Sequence, residues 1–345
     1  MKKITIWIFS ISMLLVGCQM GNNTESFSFG DDLVFIEGSN YIEIDLEKSS
    51  QRVKEKHEAL TLLLSDIEVL NDIAATTTTT ANVLLTAGVQ VTAAPESESL
   101  NNLLTNQQYK LSSNQSIDKS KVLNVGSALS PNIEAIIELN PKLVLYSDAL
   151  PDSPYISTLQ NLGINIQPLA QSDYLDMFIL LDVLSRVYNH KNQEINNLFK
   201  EMVDALKEIQ ILIDNQDGKV QPSVAILQIA EENIISNNGD SVLGRIISAL
   251  GLKNVFMNNG NAGVNVEEIL AANPDYIIYF THGNAQVALD RFNDILYADD
   301  SVYRELDAVK NGNAFAISSD EFKFVASVDL DVIHVIEFLA KSFYE

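Results

Sequence analysis

Two stretches of the chain share one pattern of hydrophobic and polar positions, and each predicts a helix, a turn and a strand. They are NIEAIIELNPKLVLY at residues 132–146 and NVEEILAANPDYIIY at residues 265–279. Apolar residues at three- and four-residue spacing predict the helix, an Asn-Pro pair ends it, and a continuous apolar run predicts a buried parallel strand. The copies lie much further apart than the roughly 20–50 residues of a solenoid repeat, so they predict two similar lobes with helix-covered parallel sheets.

The longest regular stripe of apolar residues lies between the two copies and predicts a linking helix. The stripe comprises Ile195, Leu198, Phe199, Met202, Leu206, Ile209 and Ile213. A helix of about 24 residues spans roughly 36 Å, which is long enough to run along both lobes. We therefore predict an α/β fold with an N-terminal lobe at residues 73–190, the linking helix at 191–217 and a C-terminal lobe at 218–345.

The first 72 residues are predicted to contain a signal, a tether and an extension. Lys2 and Lys3 precede an apolar run over residues 4–16, which is typical of a secretory signal and, at about 13 residues, is shorter than a membrane span. Residues 19–32 are rich in Gly, Asn, Ser, Thr and Asp, so we predict a flexible tether without regular structure. Residues 33–72 predict two short strands and a helix, which form an N-terminal extension.

The signal at residues 1–18 ends in Leu15-Val16-Gly17-Cys18, which resembles the bacterial lipobox. The resemblance implies that Cys18 is diacylated and becomes the mature N-terminus, so that a lipid anchor holds the protein on the extracytoplasmic face of the cell membrane. Cys18 is the only cysteine, so no other thiol is available for a disulfide, a metal site or a nucleophile. The alternative is an uncleaved signal anchor with an unused cysteine.

Composition and charge argue against several classes of protein. The chain has 345 residues, 46% of them hydrophobic, which suffices for two domains and is too apolar for a disordered chain. Its formal net charge of −24 argues against nucleic acid as a partner, because phosphate binding needs a basic surface. The sequence has no HExxH, GxSxG, GxGxxG or P-loop motif, and no carboxylate pair is marked out among its 46 acidic residues, so an enzyme is not expected.

Four motifs together resemble one family. They are NVGSALSPNIEAIIELNPKLVL in the first lobe, LGLKNVF at residues 250–256, VNVEEILAANPDYIIYF in the second lobe, and LDAVKNGNAFAI at residues 306–317. In this order and spacing they are similar to substrate-binding lipoproteins of bacterial ABC importers for haem, iron-siderophores and cobalamin, over roughly residues 73–345. The resemblance implies two Rossmann-like lobes with parallel sheets joined by one long α-helix, and a permease dimer with its ATPase as the partner.

Glu134 and Glu267 occupy equivalent positions near the starts of the two repeated helices. One interpretation is that a carboxylate in the first helical turn stabilises the helix through its dipole, by about 0.3–1 kcal/mol. The resemblance implies another role, because the matching glutamates of the family lie at the two lobe tips and dock into basic pockets of the two permease subunits.

His282 follows the second predicted strand, at the edge of a parallel sheet where α/β folds bind ligands. We expect the other three histidines, His57, His190 and His334, to face solvent or to pack. The stretch from Thr281 to Ile317 resembles the haem-receptor lipoproteins of Gram-positive iron-regulated surface systems, in which the histidine of a Pro-His-Gly turn ligates haem iron. Here Thr281 replaces the proline, and His282 remains the expected axial ligand.

The first lobe departs from this family at Leu129. The family commonly supplies a methionine ligand from a Gly-x-x-Met-x-Pro-Asn turn, and the matching turn of this chain has Leu129, which has no donor atom. The iron is then five-coordinate through His282, or another residue supplies the sixth ligand, or the protein prefers a porphyrin or complex that needs only one protein ligand. Met177 and Met257 contain sulfur, but both fit packing positions, and Leu129 is expected to pack on a porphyrin face.

Five consecutive threonines, residues 76–80, stand at a predicted junction between a strand and a helix. The resemblance places this junction in the cleft, where the hydroxyls of Thr78, Thr79 and Thr80 and the helix amides would receive haem propionates. Helix capping and β propensity account equally well for the threonines.

These observations predict a lipid-anchored binding protein that captures haem between two lobes and delivers it to a permease for iron acquisition. A haem-donating surface protein is a further expected partner. The alternative is an iron-siderophore or cobalamin receptor on the same scaffold. Siderophore binders usually present clustered arginines, and the sequence shows no such cluster among Arg186, Arg245, Arg291 and Arg304. The absence of catalytic motifs argues against a surface enzyme, and the duplicated lobe argues against an adhesin without a cleft.

Overall fold

A computed structural model describes residues 25–38, 41–96, 100, 122–127, 130–148, 153–216, 220–230, 233–260, 262–281, 286–317 and 328–345 of the chain. Two five-stranded sheets, one early and one late in the chain, are each accompanied by helices, and a third, smaller sheet precedes them. The predicted α/β fold with two sheet-based lobes is therefore confirmed.

The N-terminal extension is an antiparallel sheet followed by helices. Its strands β1 (Glu25–Phe29), β2 (Leu33–Glu37) and β3 (Ile42–Ile44) pair in sequence order, and α1 (Gln51–Leu64) and α2 (Ile67–Leu70) follow. The expectation of a tether without regular structure over residues 19–32 was wrong from residue 25 onward. The expectation rested on the polar composition of the segment and overlooked its alternation of Ser and Phe, which is typical of a strand. This strand pairs with β2, and Phe29 is completely buried.

The sheet of the N-terminal lobe is wholly parallel. Its spatial order is β10-β9-β4-β5-β6, and β7 and β8 form a separate antiparallel pair. The strands are β4 (Ile73–Ala75), β5 (Val91–Ala94), β6 (Leu123–Asn124), β7 (Gly126–Ser127), β8 (Ser130–Pro131), β9 (Leu143–Ser147) and β10 (Ile166–Leu169). The helices are α3 (Thr78–Thr86), α4 (Ile133–Leu139) and α5 (Pro154–Asn161).

Three long helices connect and cover the lobes: α6 (Leu175–Val187), α7 (Gln193–Asp214) and α12 (Val332–Tyr344). The 22-residue helix α7 corresponds to the predicted linking helix. Its apolar stripe from Ile195 to Ile209 is buried, and it packs against α6 and α12. Asn192 caps its first turn by accepting hydrogen bonds from the amides of Glu194 and Ile195.

The C-terminal lobe has a sheet in the order β12-β11-β14-β15, with β13 also paired to β11. Strand β12 is antiparallel to β11, and the other pairs are parallel. The strands are β11 (Ser223–Ala230), β12 (Asn233–Ser236), β13 (Lys253–Asn254), β14 (Tyr276–Phe280) and β15 (Ala314–Ala316). The helices are α8 (Val242–Ala249), α9 (Val266–Ala272), α10 (Gln286–Tyr297), a 3-10 helix (Val302–Glu305) and α11 (Asp307–Lys310).

The repeated phrase folds in the same way in both lobes. Asn132 and Asn265 cap α4 and α9 by accepting hydrogen bonds from backbone amides three residues later. Asn140 and Asn273 end the helices in the left-handed conformation, with φ of 49° and 36°, and the following proline cannot continue a helix. The phrase is therefore a helix start signal and stop signal that directs the chain into a buried strand.

The extension packs on the helices that connect the lobes. Phe35 lies between Phe178 of α6 and Phe199 of α7, with ring centroids 6.1 Å apart in each pair. All three rings are at most 1% exposed. Burying a side chain of this size stabilises a fold by about 1.5–3 kcal/mol, so the extension is an integral part of the core.

Candidate functional site

The predicted site residues divide into two groups. Cys18, Leu129 and His282 lie outside the residues that the structure describes. The threonine run, Glu134 and Glu267 lie within them. Among the described helices, none is both long enough and apolar enough to cross a membrane.

The threonine run forms the N-terminus of α3 at the carboxyl end of β4. Thr77 is the N-cap, and its hydroxyl donates to the Thr80 hydroxyl over 2.7 Å. Thr80 is fully buried and donates onward to Oε1 of Gln171 over 2.8 Å. The Thr77 hydroxyl caps the helix by accepting from the Thr80 amide, and the Thr80 hydroxyl is engaged by Thr77 and Gln171. Thr78 is partly exposed and Thr79 is 9% exposed.

Gln171 links the threonine run to the other lobe. It is fully buried in the loop after β10 and donates from Nε2 to the Val328 carbonyl over 3.3 Å. The Val328 amide donates to the Gln171 carbonyl over 2.9 Å. Val328 precedes α12, so these bonds join the end of the N-terminal sheet to the last segment of the chain. The sequence offered no signal for this role, because one glutamine in a polar loop resembles any other.

The carboxyl end of β14 leads directly to the predicted iron ligand. Phe280 ends the strand and Thr281 follows it, 6% exposed. The Thr281 hydroxyl is buried and has no hydrogen-bond partner among the described residues. A buried hydroxyl without a partner costs free energy, and it lies one position before His282.

Asp329 is a second buried polar group near the lobe junction. Its Oδ1 accepts a hydrogen bond from the Asp331 amide over 2.9 Å, and its Oδ2 has no partner among the described residues. Burial, and to a smaller degree the Asp331 charge, raise the pKa of the Asp329 carboxyl from 3.8 to about 8. The group is therefore a neutral acid over most of the physiological pH range.

We expect Asp329→Asn to change how stability depends on pH. In the folded chain the Asp329 carboxyl keeps its proton up to about pH 8, whereas in the unfolded chain it releases the proton near pH 4. The contribution of the neutral acid to stability is therefore complete below about pH 4 and is lost as the pH rises toward about 8. The free energy of unfolding of the variant should equal that of the wild type near pH 4. It should exceed the wild-type value increasingly as the pH rises toward 8, by up to about 1.4 kcal/mol for each pH unit. Urea unfolding across this range measures the difference, with the exposed carboxylate variant Asp299→Asn as control. Parallel profiles for Asp329→Asn and the wild type would contradict the expectation.

Glu134 and Glu267 stand at matching positions on the two lobes. Each is the second residue of its helix, α4 or α9, and each side chain is exposed. Asn265 and Glu268 form a capping box in α9, so Glu267 is not needed to cap that helix. The geometry is compatible with both interpretations of the pair, helix stabilisation and docking.

The remaining histidines make structural contacts. His57 is buried and bonds Oδ2 of Asp182 over 2.9 Å. His190 stacks on Tyr41, with ring centroids 4.7 Å apart. His334 lies on α12, with Nδ1 3.8 Å from Oε2 of Glu337. Within the described part of the chain, no three His, Cys, Asp or Glu side chains converge as a metal site.

The two methionines considered as sulfur ligands differ in burial. Met177 is fully buried in α6, as the packing interpretation expects. The same expectation for Met257 was wrong, because its side chain is 46% exposed.

Three of the four arginines considered for an anionic ligand are engaged by carboxylates. Arg186 pairs with Asp182, Arg304 with Asp299, and Arg245 with Asp240 and Asp173. Arg291 lines a shallow groove of about 340 Å³ on the C-terminal lobe with Phe292 and Tyr303. None of these contacts joins two of the four arginines.

The sequence of the chain matches one family model, which is described as periplasmic binding protein, over residues 73–321. The high-affinity heme uptake system protein IsdE of Staphylococcus aureus (strain MRSA252) is 25% identical over 221 residues, which are 61% of this chain and 71% of IsdE. The extension, residues 25–72, precedes the family match.

Solved structures share the fold. An ABC transporter substrate-binding protein from Listeria monocytogenes EGD-e has a TM-score of 0.61 at 20% identity, covering 78% of this chain and 97% of that one. S. aureus IsdE complexed with heme has a TM-score of 0.57 at 21% identity, covering 79% and 99%. The siderophore binding protein BauB and the vitamin B12 binding protein BtuF of Vibrio cholerae have TM-scores of 0.56 and 0.53. Both are 16% identical to this chain and cover 79% of it, with 92% and 96% of their own chains.

Proposed function

Because the chain belongs to the periplasmic binding protein family, we propose that it captures haem between its two lobes and delivers it to an ABC permease for iron acquisition. The family consists of extracytoplasmic substrate-binding components of transport, which are not enzymes. Haem is the proposed cargo because the similar IsdE of S. aureus is a heme uptake protein by name.

The observation that carries the proposal is the position of His282, two residues after β14 ends at Phe280. Ligands of α/β folds bind at the carboxyl ends of parallel strands, and a neutral imidazole is a strong axial ligand for haem iron. We assign His282 this role. The Thr281 hydroxyl, which has no hydrogen-bond partner among the described residues, supports a polar ligand group nearby, because a bound carboxylate or water would satisfy it.

Leu129 packs on a porphyrin face in this proposal and donates nothing to the iron. The iron is then five-coordinate, or it takes its sixth ligand from outside the family pattern. Of the two sulfur candidates, Met177 is withdrawn into the core, which disfavours it as a ligand.

The N-terminus of α3 is the proposed receptor for the haem propionates. The first backbone amides of a helix have no partner within the helix, and together with the helix dipole they favour an anion there. Thr78 and Thr79 supply hydroxyls, while Thr80 positions the turn through its bond to Gln171. The proposed site therefore needs no cationic side chain.

Delivery is proposed to occur at the membrane surface. Diacylated Cys18 holds the protein on the extracytoplasmic face, and Glu134 and Glu267 dock on the two permease subunits, whose ATPase drives transport. A haem-donating surface protein is the proposed source of the cargo.

Absorption titration with haemin tests the cargo and the ligand together. The soluble fragment from residue 19 is titrated beside His282→Ala and the control His334→Ala. We expect a saturable one-to-one Soret band for the wild type and the control, and at least about tenfold weaker binding with a shifted band for His282→Ala.

The shape of the wild-type band reports whether a sixth ligand replaces the methionine that Leu129 has displaced. Absence of a saturable band would replace haem by an iron-siderophore or cobalamin as the cargo. A saturable band that does not respond to His282→Ala would reject His282 as the iron ligand.

A further inference from the structure

A chain of alternating charges crosses the place where the extension and both lobes meet. Asp173, in the loop after β10, accepts from Nη1 of Arg52 on α1 over 2.9 Å and lies 3.6 Å from Nε of Arg245 on α8. Arg52 also bonds Asp32 in the turn between β1 and β2. Arg245 also pairs with Asp240 over 3.1 Å. One carboxylate thus bridges the extension to the C-terminal lobe.

The burial of Asp173 makes it the central member. Its side chain is 3% exposed, while those of Arg52 and Arg245 are 29% and 28% exposed. Without this charge, two guanidinium groups would face one another at a partly buried site, where screening by water and salt is weak. Its Oδ1 separately accepts from the Leu175 amide over 3.2 Å, at the start of α6.

Apolar contacts reinforce the bridge on the same side. Gly30, with φ of 56°, brings the turn between β1 and β2 against α8, so close that an added Cβ would lie 3.3 Å from Cβ of Ala249. Phe29 meets the ring of Tyr174 edge-on, with centroids 6.3 Å apart. The extension therefore touches the C-terminal lobe directly while its sheet packs on α6 and α7.

The loop after β10 holds the lobes together in a second way. Asp148 fixes this loop by accepting from the Gln171 amide over 3.0 Å and from the Ser172 hydroxyl over 2.9 Å. Gln171, two residues before Asp173, exchanges hydrogen bonds with Val328. Residues of one short loop thus contact the extension, the C-terminal lobe and the segment entering α12.

We infer that the N-terminal extension, residues 25–72, is a clamp that sets the angle between the two lobes, and that Asp173 is the positioning residue through which it acts. The clamp precedes the residues that match the family model, so it lies outside the part of the chain that the model describes. It supplies a connection between the lobes besides α7, and a preformed cleft reduces the ordering cost of ligand binding. The clamp acts in the protein without ligand, whatever the cargo is.

Distances between spin labels on the two lobes test the clamp. The labels are placed on Leu162→Cys in the N-terminal lobe and Val302→Cys in the C-terminal lobe, because both side chains are more than half exposed. The full chain carries Cys18→Ser, so the two introduced cysteines are the only thiols. Pulsed electron paramagnetic resonance gives the distance distribution without added ligand.

The test variants are Asp173→Asn, which keeps Oδ1 for the Leu175 amide, and Arg245→Gln, which leaves the Arg52 pair intact. The control is Arg304→Gln, which breaks an exposed pair with Asp299 inside the C-terminal lobe. We expect both test variants to broaden the distance distribution at least about twofold and the control to leave it unchanged.

Urea unfolding of the same samples separates positioning from stability. A purely stabilising role lowers the unfolding midpoint and leaves the distance distribution unchanged, and that outcome overturns the inference. If Asp173→Asn does not fold, Arg245→Gln decides: an unchanged distribution in this folded variant rejects the clamp, and a broadened one supports it.

Discussion

Asp182→Ala is expected to lower the free energy of unfolding by about 3–5 kcal/mol, because it removes one partner from a buried charged network. The Asp182 side chain is completely buried in α6. Its Oδ2 bonds Nε2 of His57 over 2.9 Å and Nε of Arg186 over 2.8 Å, and its Oδ1 accepts from the Ile44 amide over 3.0 Å. Loss of this carboxylate leaves three donors without their partner.

The effect of Asp182→Ala reaches beyond one site because Asp182 holds the extension in place. Ile44 belongs to β3 and His57 to α1, so one carboxylate secures both the sheet and the helix of the extension to α6. Arg186 adds a bond from Nη2 to the Ile44 carbonyl over 2.9 Å.

Urea unfolding followed by far-UV circular dichroism measures the loss. The matched control is Asp204→Ala on α7, whose carboxylate pairs with Lys200 and Lys207 but is 45% exposed. Exposed pairs contribute about 0–1 kcal/mol. If Asp182→Ala lowers stability no more than Asp204→Ala does, the network does not hold the extension in the proposed way.

The double variant Glu134→Ala/Glu267→Ala is expected to bind haem as the wild type does and to lose uptake into cells by at least about tenfold. Each lobe presents one exposed glutamate at the same helical position, which suits a partner with two similar subunits. Charge-assisted hydrogen bonds contribute about 1.5–3 kcal/mol each, so loss of two of them would abolish productive docking.

Haem-iron uptake by cells and haemin titration of the purified protein are measured in parallel. The control double variant, Glu138→Ala/Glu305→Ala, removes the same charge from exposed positions of the same two lobes. Both glutamates of the test pair also favour their helix dipoles, by about 0.3–1 kcal/mol each, so unfolding is checked at the assay temperature. Uptake equal to that of the control would eliminate the docking role and leave the helix-dipole interpretation.

Signals within a short stretch of sequence predicted the helix and the strand of each repeated segment. The apolar stripe, the Asn-Pro stop and the apolar strand lie within one short segment, and both copies fold as their pattern indicates. The linking helix was predictable for the same reason, since its stripe repeats over about five turns.

Contacts between distant segments were not predictable in this way. The polar surroundings of His57 in sequence left solvent exposure open, yet it is buried because Asp182, far along the chain, supplies its partner. The polar composition around β1 suggested a tether, yet its two phenylalanines pack inward. The sequence did not decide between helix capping and ligand binding for the threonine run, and the structure shows that the Thr80 hydroxyl bonds Gln171.

Local order along the chain was therefore sufficient for the two lobes, the ends of the two repeated helices and the long helix, because chain-stop signals and hydrophobic periodicity act over a few residues. The folded structure was needed to bring Asp32, Arg52, Asp173 and Arg245 together, because such a bridge depends on which buried faces meet. A charged side chain in a loop has no periodic signature, and its role depends on the partners and the burial that folding provides.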